Sequence, residues 1–322
     1  MTALPTPLPV IEKPAIDPRK FRDPFITAKG ETRASVGLRA LRTLWFNTGS
    51  LCNITCVGCY MESSPKNDRL AYITQTEVAA YLDEIEADEW PVEEIGFTGG
   101  EPFMNRDLPA ILDDVLSRGF RALVLTNAMK PMWHKREALK TLNARHGDRL
   151  TLRVSIDHHT QAGHEAIRGE NTWTPMIKGV RWLTENGFDL AIAGRTLWNE
   201  PEAEARAAYA AMLAGKGISL DTADPSRLVL FPEMDETHDV PEITTACWDI
   251  LSVDPDTVMC ATSRMVIKRK GADAPAVVPC TLLPYDEKFE LGESLADADT
   301  AIQLNHPHCA KFCVLGGASC SG

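Results

Sequence analysis

The sequence predicts an α/β fold organised around a parallel sheet. Three observations carry the prediction. Six short apolar runs recur from about residue 44, longer amphipathic stretches separate them, and the rhythm breaks from about residue 233. Strands alternating with helices are the mark of βα units and a parallel sheet. In such sheets ligands sit at the carboxyl ends of the strands.

The predicted strands are "RTLWFN" (42–47), "EEIGFTG" (93–99), "RALVLTN" (121–127), "LTLRVSID" (150–157), "DLAIAGRT" (189–196) and "SRLVLFP" (226–232). Between the first two, "TQTEVAAYLDEIEAD" places Val78, Tyr81, Leu82 and Ile85 on one helical face. "DLPAILDDVLSRG" opens on an Asp cap and closes at Gly119, and "NTWTPMIKGVRWLTENG" has the same form and closes at Gly187. Beyond the sixth strand, "TVMCATSRMVIKRKGADAPAVVPCTLL" (257–283) reads as a β-hairpin turning at "KGADAP". Folding it is expected to set Cys260 and Cys280 roughly opposite each other.

A chain of 322 residues suits one large α/β domain, or a domain with an appendage. Hydrophobic residues make up 44% and charged residues 24%, enough for a full core. No apolar run approaches the ~20 residues of a membrane span. The N-terminus, "MTALPTPLPVIEKPAIDPRK", has no secretory-signal pattern; its prolines suggest an extended arm lying on the surface. A net charge of −12 and the lack of any Lys/Arg block argue against nucleic acid as the main partner.

The nine cysteines are the chemical signal. Cys52, Cys56 and Cys59 fall in "NTGSLCNITCVGCYMESS", just past the first strand, and none follows before Cys247. Cys247, Cys260, Cys280, Cys309, Cys313 and Cys320 crowd the C-terminal part. An odd total without a signal peptide points to metal or cluster ligation over a disulfide framework. A thiolate triad in one loop suits zinc or an iron–sulfur cluster. No second Cys pair or His lies nearby in sequence to complete a zinc knuckle, which favours the cluster. Three ligands would leave one iron of a four-iron cluster open to a non-protein ligand.

Cys-x3-Cys-x2-Cys followed by Tyr60, after the first strand of an α/β pattern, resembles the radical S-adenosylmethionine (radical SAM) superfamily. The resemblance implies a partial (β/α)6 TIM-like barrel over 44–240. It implies a [4Fe-4S] cluster on Cys52, Cys56 and Cys59, with S-adenosylmethionine chelating the fourth iron. Reductive cleavage of that cofactor to a 5′-deoxyadenosyl radical, then hydrogen abstraction from substrate, is the implied activity. "TGGEP" (98–102) resembles the family segment that meets the methionine amino group. Gly99 and Gly100 would let the chain approach a ligand closely, and Glu101 would supply a carboxylate. "SID" resembles the ribose-binding strand end, with Ser155 and Asp157 sharing a face. By the same resemblance Asn127 lines the pocket, Arg168 and Arg195 reach the cofactor's carboxylate, and Tyr60 lies beside the adenine. His158 and His159 read as loop histidines, and Cys247 as a core helix residue or one facing the active site.

The C-terminal part resembles the twitch or SPASM-type auxiliary-cluster domains appended to many radical enzymes. The order matches: a Cys-bearing hairpin, "FELGE", then Cys309-x3-Cys313-x6-Cys320. Five cysteines after Cys247 imply one auxiliary [4Fe-4S] cluster, on Cys260, Cys280, Cys309 and Cys313, with Cys320 as replacement; a zinc site or buried thiols are the alternatives. The expected organisation is a Pro-rich arm (1–43), a radical SAM core (44–240) and a small β-hairpin/α auxiliary-cluster domain (241–322). Expected partners are a reductant such as flavodoxin or ferredoxin and a small-molecule substrate, with a peptide as the close alternative. Air-sensitive clusters imply a cytoplasmic protein. A non-catalytic iron–sulfur or zinc protein is the reading of another class, and it has no need of the "GGEP" and "SID" stretches.

Overall fold

A computed structural model of the protein describes residues 14–196, 200–232 and 236–317. Its strands are Ser35–Val36 (β1), Thr43–Asn47 (β2), Glu94–Thr98 (β3), Arg121–Thr126 (β4), Leu150–Ser155 (β5), Asp189–Arg195 (β6), Leu228–Phe231 (β7), Ser263–Ile267 (β8), Ala276–Val278 (β9) and Ile302–Gln303 (β10). The helices are Gln75–Ala87 (α1), Leu108–Ser117 (α2), Lys130–His134 (α3), Arg136–His146 (α4), Gln161–Arg168 (α5), Trp173–Glu185 (α6), Glu202–Ala214 (α7) and Cys247–Leu251 (α8).

The main sheet runs β7-β6-β5-β4-β3-β2-β8-β9. All its pairs are parallel except β8–β9. Each of the six expected strands is present. They are short and apolar because both of their faces are covered, as parallel strands require; β2, for example, is buried at every position. Helix α1 buries Val78, Tyr81, Leu82 and Ile85, as its periodicity predicts, and starts on a capping box between Thr74 and Glu77. Asp107 stands at the start of α2, but its side chain makes no capping bond. Gly187 ends α6 with a positive φ of 69°.

The C-terminal hairpin forms, and its place in the sheet comes from pairing the sequence does not reveal. Strand β8 adds in parallel to the free edge of β2, Thr43 opposite Ser263, so the sheet continues across position 240. Within the hairpin, Met265 faces Val278. Extending that register sets Cys280 across from Ser263, so Cys260 and Cys280 are not opposite each other. Cys260 lies before the ladder, in a 3₁₀ turn, Met259–Ala261.

The described part of the N-terminal segment is not a surface arm. Phe21, Ala34, Val36 and Leu41 are buried, and β1 pairs with β10. The Arg33 guanidinium is fully enclosed, 2.5 Å from Glu242, and also donates to the carbonyls of Asp23, Ile26 and Leu304. Burying such a charge is tolerated because it is paired and each of its three nitrogens donates. Among the described residues, no helix is long and apolar enough to cross a membrane.

Candidate active site

The cysteine loop hangs between two fixed points. At its start Asn47 ends β2, and its Oδ1 accepts the Gly49 N–H at 2.9 Å. Thr48 donates its N–H and its hydroxyl to the Thr98 carbonyl at the end of β3. At its far side the Tyr285 hydroxyl donates to the Met61 carbonyl at 2.7 Å, and Arg69 lies 3.7 Å over the Tyr285 ring. Between these points Cys52 N–H bonds Ser64 O, and Val57 N–H bonds Ile167 O. Cys52 is buried; Cys56 and Cys59 are half-buried.

All three cysteines line one cavity of about 160 Å³, together with Tyr60, Gly99, Gly100, Asn127, Ser155, Asp157, Arg168 and Arg195. The carboxyl ends of β2–β6 thus converge as the parallel topology predicts. Burial pushes the Cys52 thiol up to about 12 and raises Cys56, which the Arg168 and Arg195 cations partly offset.

Gly99 and Gly100 do line the cavity, but the clearance they provide is taken up by the chain itself. A Cβ on Gly100 would stand 2.0 Å from the Leu51 carbonyl oxygen; one on Gly99, where φ is +139°, would stand 2.5 Å from the Gly49 oxygen. The bare backbone lets Gly100 N–H and Glu101 N–H bond those two carbonyls. Gly100→Ala therefore displaces the cysteine loop. It is expected to lose about four irons per chain with its helical circular dichroism retained.

Glu101 does not line the cavity. It is buried, and it accepts from the Thr126 hydroxyl (2.8 Å), the Asn127 N–H (2.8 Å) and the Phe103 N–H (3.3 Å). Burial pushes its carboxyl up to about 7 despite these donors. Its place is to clamp the end of β4, which sets Asn127. Asn127 in turn donates to Asn53 in the cysteine loop at 2.9 Å. Ser155 and Asp157 face the cavity, and Arg168 Nε donates to Asp157 Oδ2 at 2.5 Å. Arg168 is thus engaged with Asp157. Arg195 reaches the carbonyls of Val57 and Gly58 at 3.4 Å.

His158 and His159 lie outside this cavity, near Glu200. Behind them His164 is fully buried against Trp173, and neither ring nitrogen has a hydrogen-bond partner among the described residues. Burial, helped by the Arg168 cation, pushes its pKa from the ordinary 6.5 down to about 4. A depressed histidine keeps the folded state neutral while the unfolded chain takes a proton, so its contribution is present above pH 6.5 and lost as pH falls toward 4. His164→Phe is expected to gain about 3 kcal/mol on the wild type between pH 7 and pH 4 in paired denaturant titrations.

A single zinc ion would need its thiolates about 2.3 Å from the metal and so about 3.8 Å from one another. Among the described residues, the trios of ligand-type side chains within 4.8 Å of one another are His158–His159–Glu200 and Glu236–His306–His308. The three loop cysteines are not among these trios. Three thiols on one loop with no fourth protein ligand among the described residues suit a multi-iron cluster.

The radical SAM superfamily model matches residues 46–208, just over half of the sequence. The chain belongs to the radical SAM superfamily. Membership implies a [4Fe-4S] cluster and S-adenosylmethionine, which the cavity's donor set suits. The chain is 27% identical over 169 residues to AlbA, the subtilosin biosynthesis protein of Bacillus subtilis, a match covering 52% of this chain and 35% of AlbA. It is 26% identical over 151 residues to the GTP 3′,8-cyclase of Tolumonas auensis, covering 47% and 43%. It therefore spans less than half the length of these relatives. SuiB of Streptococcus suis, solved with S-adenosylmethionine, superposes with a TM-score of 0.57 at 12% identity, over 79% of this chain and 63% of that one. At that identity the likeness is one of fold.

The C-terminal cysteines of this radical SAM protein also gather. Cys260, Cys280 and Cys309 are buried in one apolar cluster, with Cys247 and Cys313 packed against it. Burial pushes Cys260 up to about 11 and Cys309 up to about 12, the latter aided by Cys260. Cys309 and Cys313 share a π-helical turn, Cys309–Val314. Cys320 lies outside the described residues. Cys247 is half-buried at the start of α8, where Thr244 N–H approaches its sulfur at 3.3 Å; it lines neither cavity of this region.

Sequence reasoning missed several contributors. Arg264 is fully buried and donates to the carbonyls of Cys260, Ser263, Ala298 and Thr300. It has no ion-pair partner among the described residues, and Cys260 and Cys280 are the first groups whose charge offsets its desolvation. An arginine inside an apolar strand was its only signal. Gly194 also lines the cavity of the three cysteines, and a Cβ there would meet the Tyr209 hydroxyl at 2.5 Å. A glycine inside "DLAIAGRT" could have flagged that approach.

Proposed function

We propose that the protein is a radical SAM enzyme with one auxiliary [4Fe-4S] cluster, acting by hydrogen abstraction from a peptide side chain. One observation carries this reading. The cavity of the three cysteines adjoins a chamber of about 600 Å³, and the two share Gly58, Cys59, Tyr60, Ile167 and Arg195. The chamber's far wall is Leu282–Asp286 with His306 and His308, the segments that flank Cys280 and Cys309. A substrate there would lie between the two cysteine sets.

In this reading Cys52, Cys56 and Cys59 hold the first cluster, and Cys260, Cys280, Cys309 and Cys313 the second. When bound, the first cluster and S-adenosylmethionine supply the 5′-deoxyadenosyl radical. The chain's own residues position and shield. Ser155 and Asp157 offer the ribose a hydroxyl and a carboxylate, with Asp157 oriented by Arg168. The Gly99–Gly100 edge faces the methionine end, Arg195 braces the cysteine loop, and Met61, Ile167 and Phe231 exclude water. Six parallel strands in unbroken order support a partial (β/α)6 barrel over 44–240, followed by the auxiliary-cluster segment.

A peptide substrate is supported by the fold likeness to SuiB, solved with its precursor peptide SuiA, and by the similarity to AlbA. The similarity to GTP 3′,8-cyclases favours a small molecule as the second reading. The test is anaerobic reconstitution followed by dithionite and S-adenosylmethionine. About eight irons per chain and formation of 5′-deoxyadenosine are expected. No 5′-deoxyadenosine from a fully loaded protein would overturn the reading.

A further inference from the structure

A third cavity lies on the outer helical layer and belongs to neither cysteine set. Its volume is about 490 Å³, and its walls come from α3, α5, α6 and the end of α7. Three of the seven tryptophans line it: Trp133, Trp173 and Trp182. Three cations line it too: Lys178, Arg181 and Lys216.

On α6, Lys178 and Arg181 stand three apart, beside Trp182 on the same helix. Trp133 from α3 meets Trp182 edge-on at 6.2 Å, and Lys178 Nζ lies 4.1 Å over the Trp133 ring. Arg181 Nε donates to the Lys216 carbonyl at 3.2 Å, which ties the end of α7 into the wall. Glu185 is the sole carboxylate among the lining residues. None of the three cations has an ion-pair partner among the described residues. Elsewhere on the surface the cations are mostly paired, as in Arg145–Asp113, Arg118–Asp83 and Arg206–Glu202. A concave, tryptophan-walled site with unspent positive charge is an outlier on a chain whose net charge is −12. Aromatic walls and a cationic rim are what an acidic segment carrying one large apolar side chain would complement.

We propose that this cavity binds an acidic peptide segment, whose aromatic or large aliphatic side chain packs against the tryptophans while flanking carboxylates meet Lys178, Arg181 and Lys216. The site is separate from the chemistry proposed above, so binding is measurable whether or not the protein cleaves S-adenosylmethionine.

The test uses the reconstituted full chain and the synthetic peptide Ac-Glu-Glu-Phe-Glu-Glu-NH2, followed by calorimetry and tryptophan fluorescence. Saturable binding is expected at low salt, with affinity falling by about tenfold or more as ionic strength rises to 0.5 M. The double variant Lys178→Glu/Arg181→Glu changes two exposed side chains and should fold normally, as circular dichroism and iron content will verify. It is expected to reduce affinity at least about tenfold, and Lys216→Gln to do so more mildly. Replacing phenylalanine in the probe by glycine should also weaken binding. Absence of saturable binding overturns the proposal, as does binding that the charge reversals leave unchanged. It is also overturned if adenosine monophosphate displaces the peptide and binds more tightly. Concentration-dependent dimerisation that the double variant abolishes, without peptide binding, would assign the face to a second copy of the chain instead.

Discussion

Cys56→Ala is expected to reduce 5′-deoxyadenosine formation to background and to lower iron from about eight to about four per chain. Cys56 has no substitute within the loop: Cys52 and Cys59 are the remaining cysteines of that cavity, and both are already assigned to the cluster. Cys309→Ala separates the two sets. It should also lose about four irons while still cleaving S-adenosylmethionine without substrate turnover, because Cys309 does not line the cavity of the three loop cysteines. Iron assay with chromatography of the nucleoside products checks both. If Cys309→Ala abolished cleavage and Cys56→Ala spared it, the assignment of the two sets would be reversed.

Arg264→Met should have the second largest effect. The guanidinium gathers four carbonyls from two stretches of chain, at 260 and 263 and at 298 and 300, in a fully buried setting. Removing it leaves buried acceptors unpaired, at about 1–3 kcal/mol each. It also removes the positive charge beside Cys260 and Cys280. The variant is expected to lose the auxiliary irons, as Cys309→Ala does, and in addition to melt at a lower temperature. Arg264→Lys keeps the charge without the fork and should fall between the two. An Arg264→Met protein with a full iron complement would refute a role for this cation at the second site.

Much of this was legible in the sequence for local reasons. The six core strands are apolar runs because two-sided burial demands it, and α1 shows its buried face through the spacing of Val78, Tyr81, Leu82 and Ile85. Once the strands are placed, their carboxyl ends bring Cys52, Gly99, Asn127, Ser155 and Arg195 together without further information. What stayed hidden depended on distant partners. Nothing in "SRMVI" says that it pairs with β2, and a 3₁₀ turn before the ladder moved Cys260 out of register with Cys280. Glu101 looked like a cofactor contact because it stands beside the glycine pair in "TGGEP". Only the position of Thr126 and the Asn127 N–H shows its carboxylate facing inward. The glycine pair was read correctly as a close approach, but the approaching group is the loop backbone at 49–51.

The seating of β8 against β2 has a kinetic consequence. The two strands are separated by roughly two hundred residues of chain, yet they pair in parallel and leave β2 flanked on both sides. Contacts of such sequence separation form late, because loop-closure entropy must be met before they are rewarded. During synthesis the strands from β2 to β7 can assemble while β2 keeps a bare edge, an open invitation to other chains. Refolding should therefore be slow and concentration-sensitive, with aggregation competing until the β8–β9 hairpin docks and closes that edge.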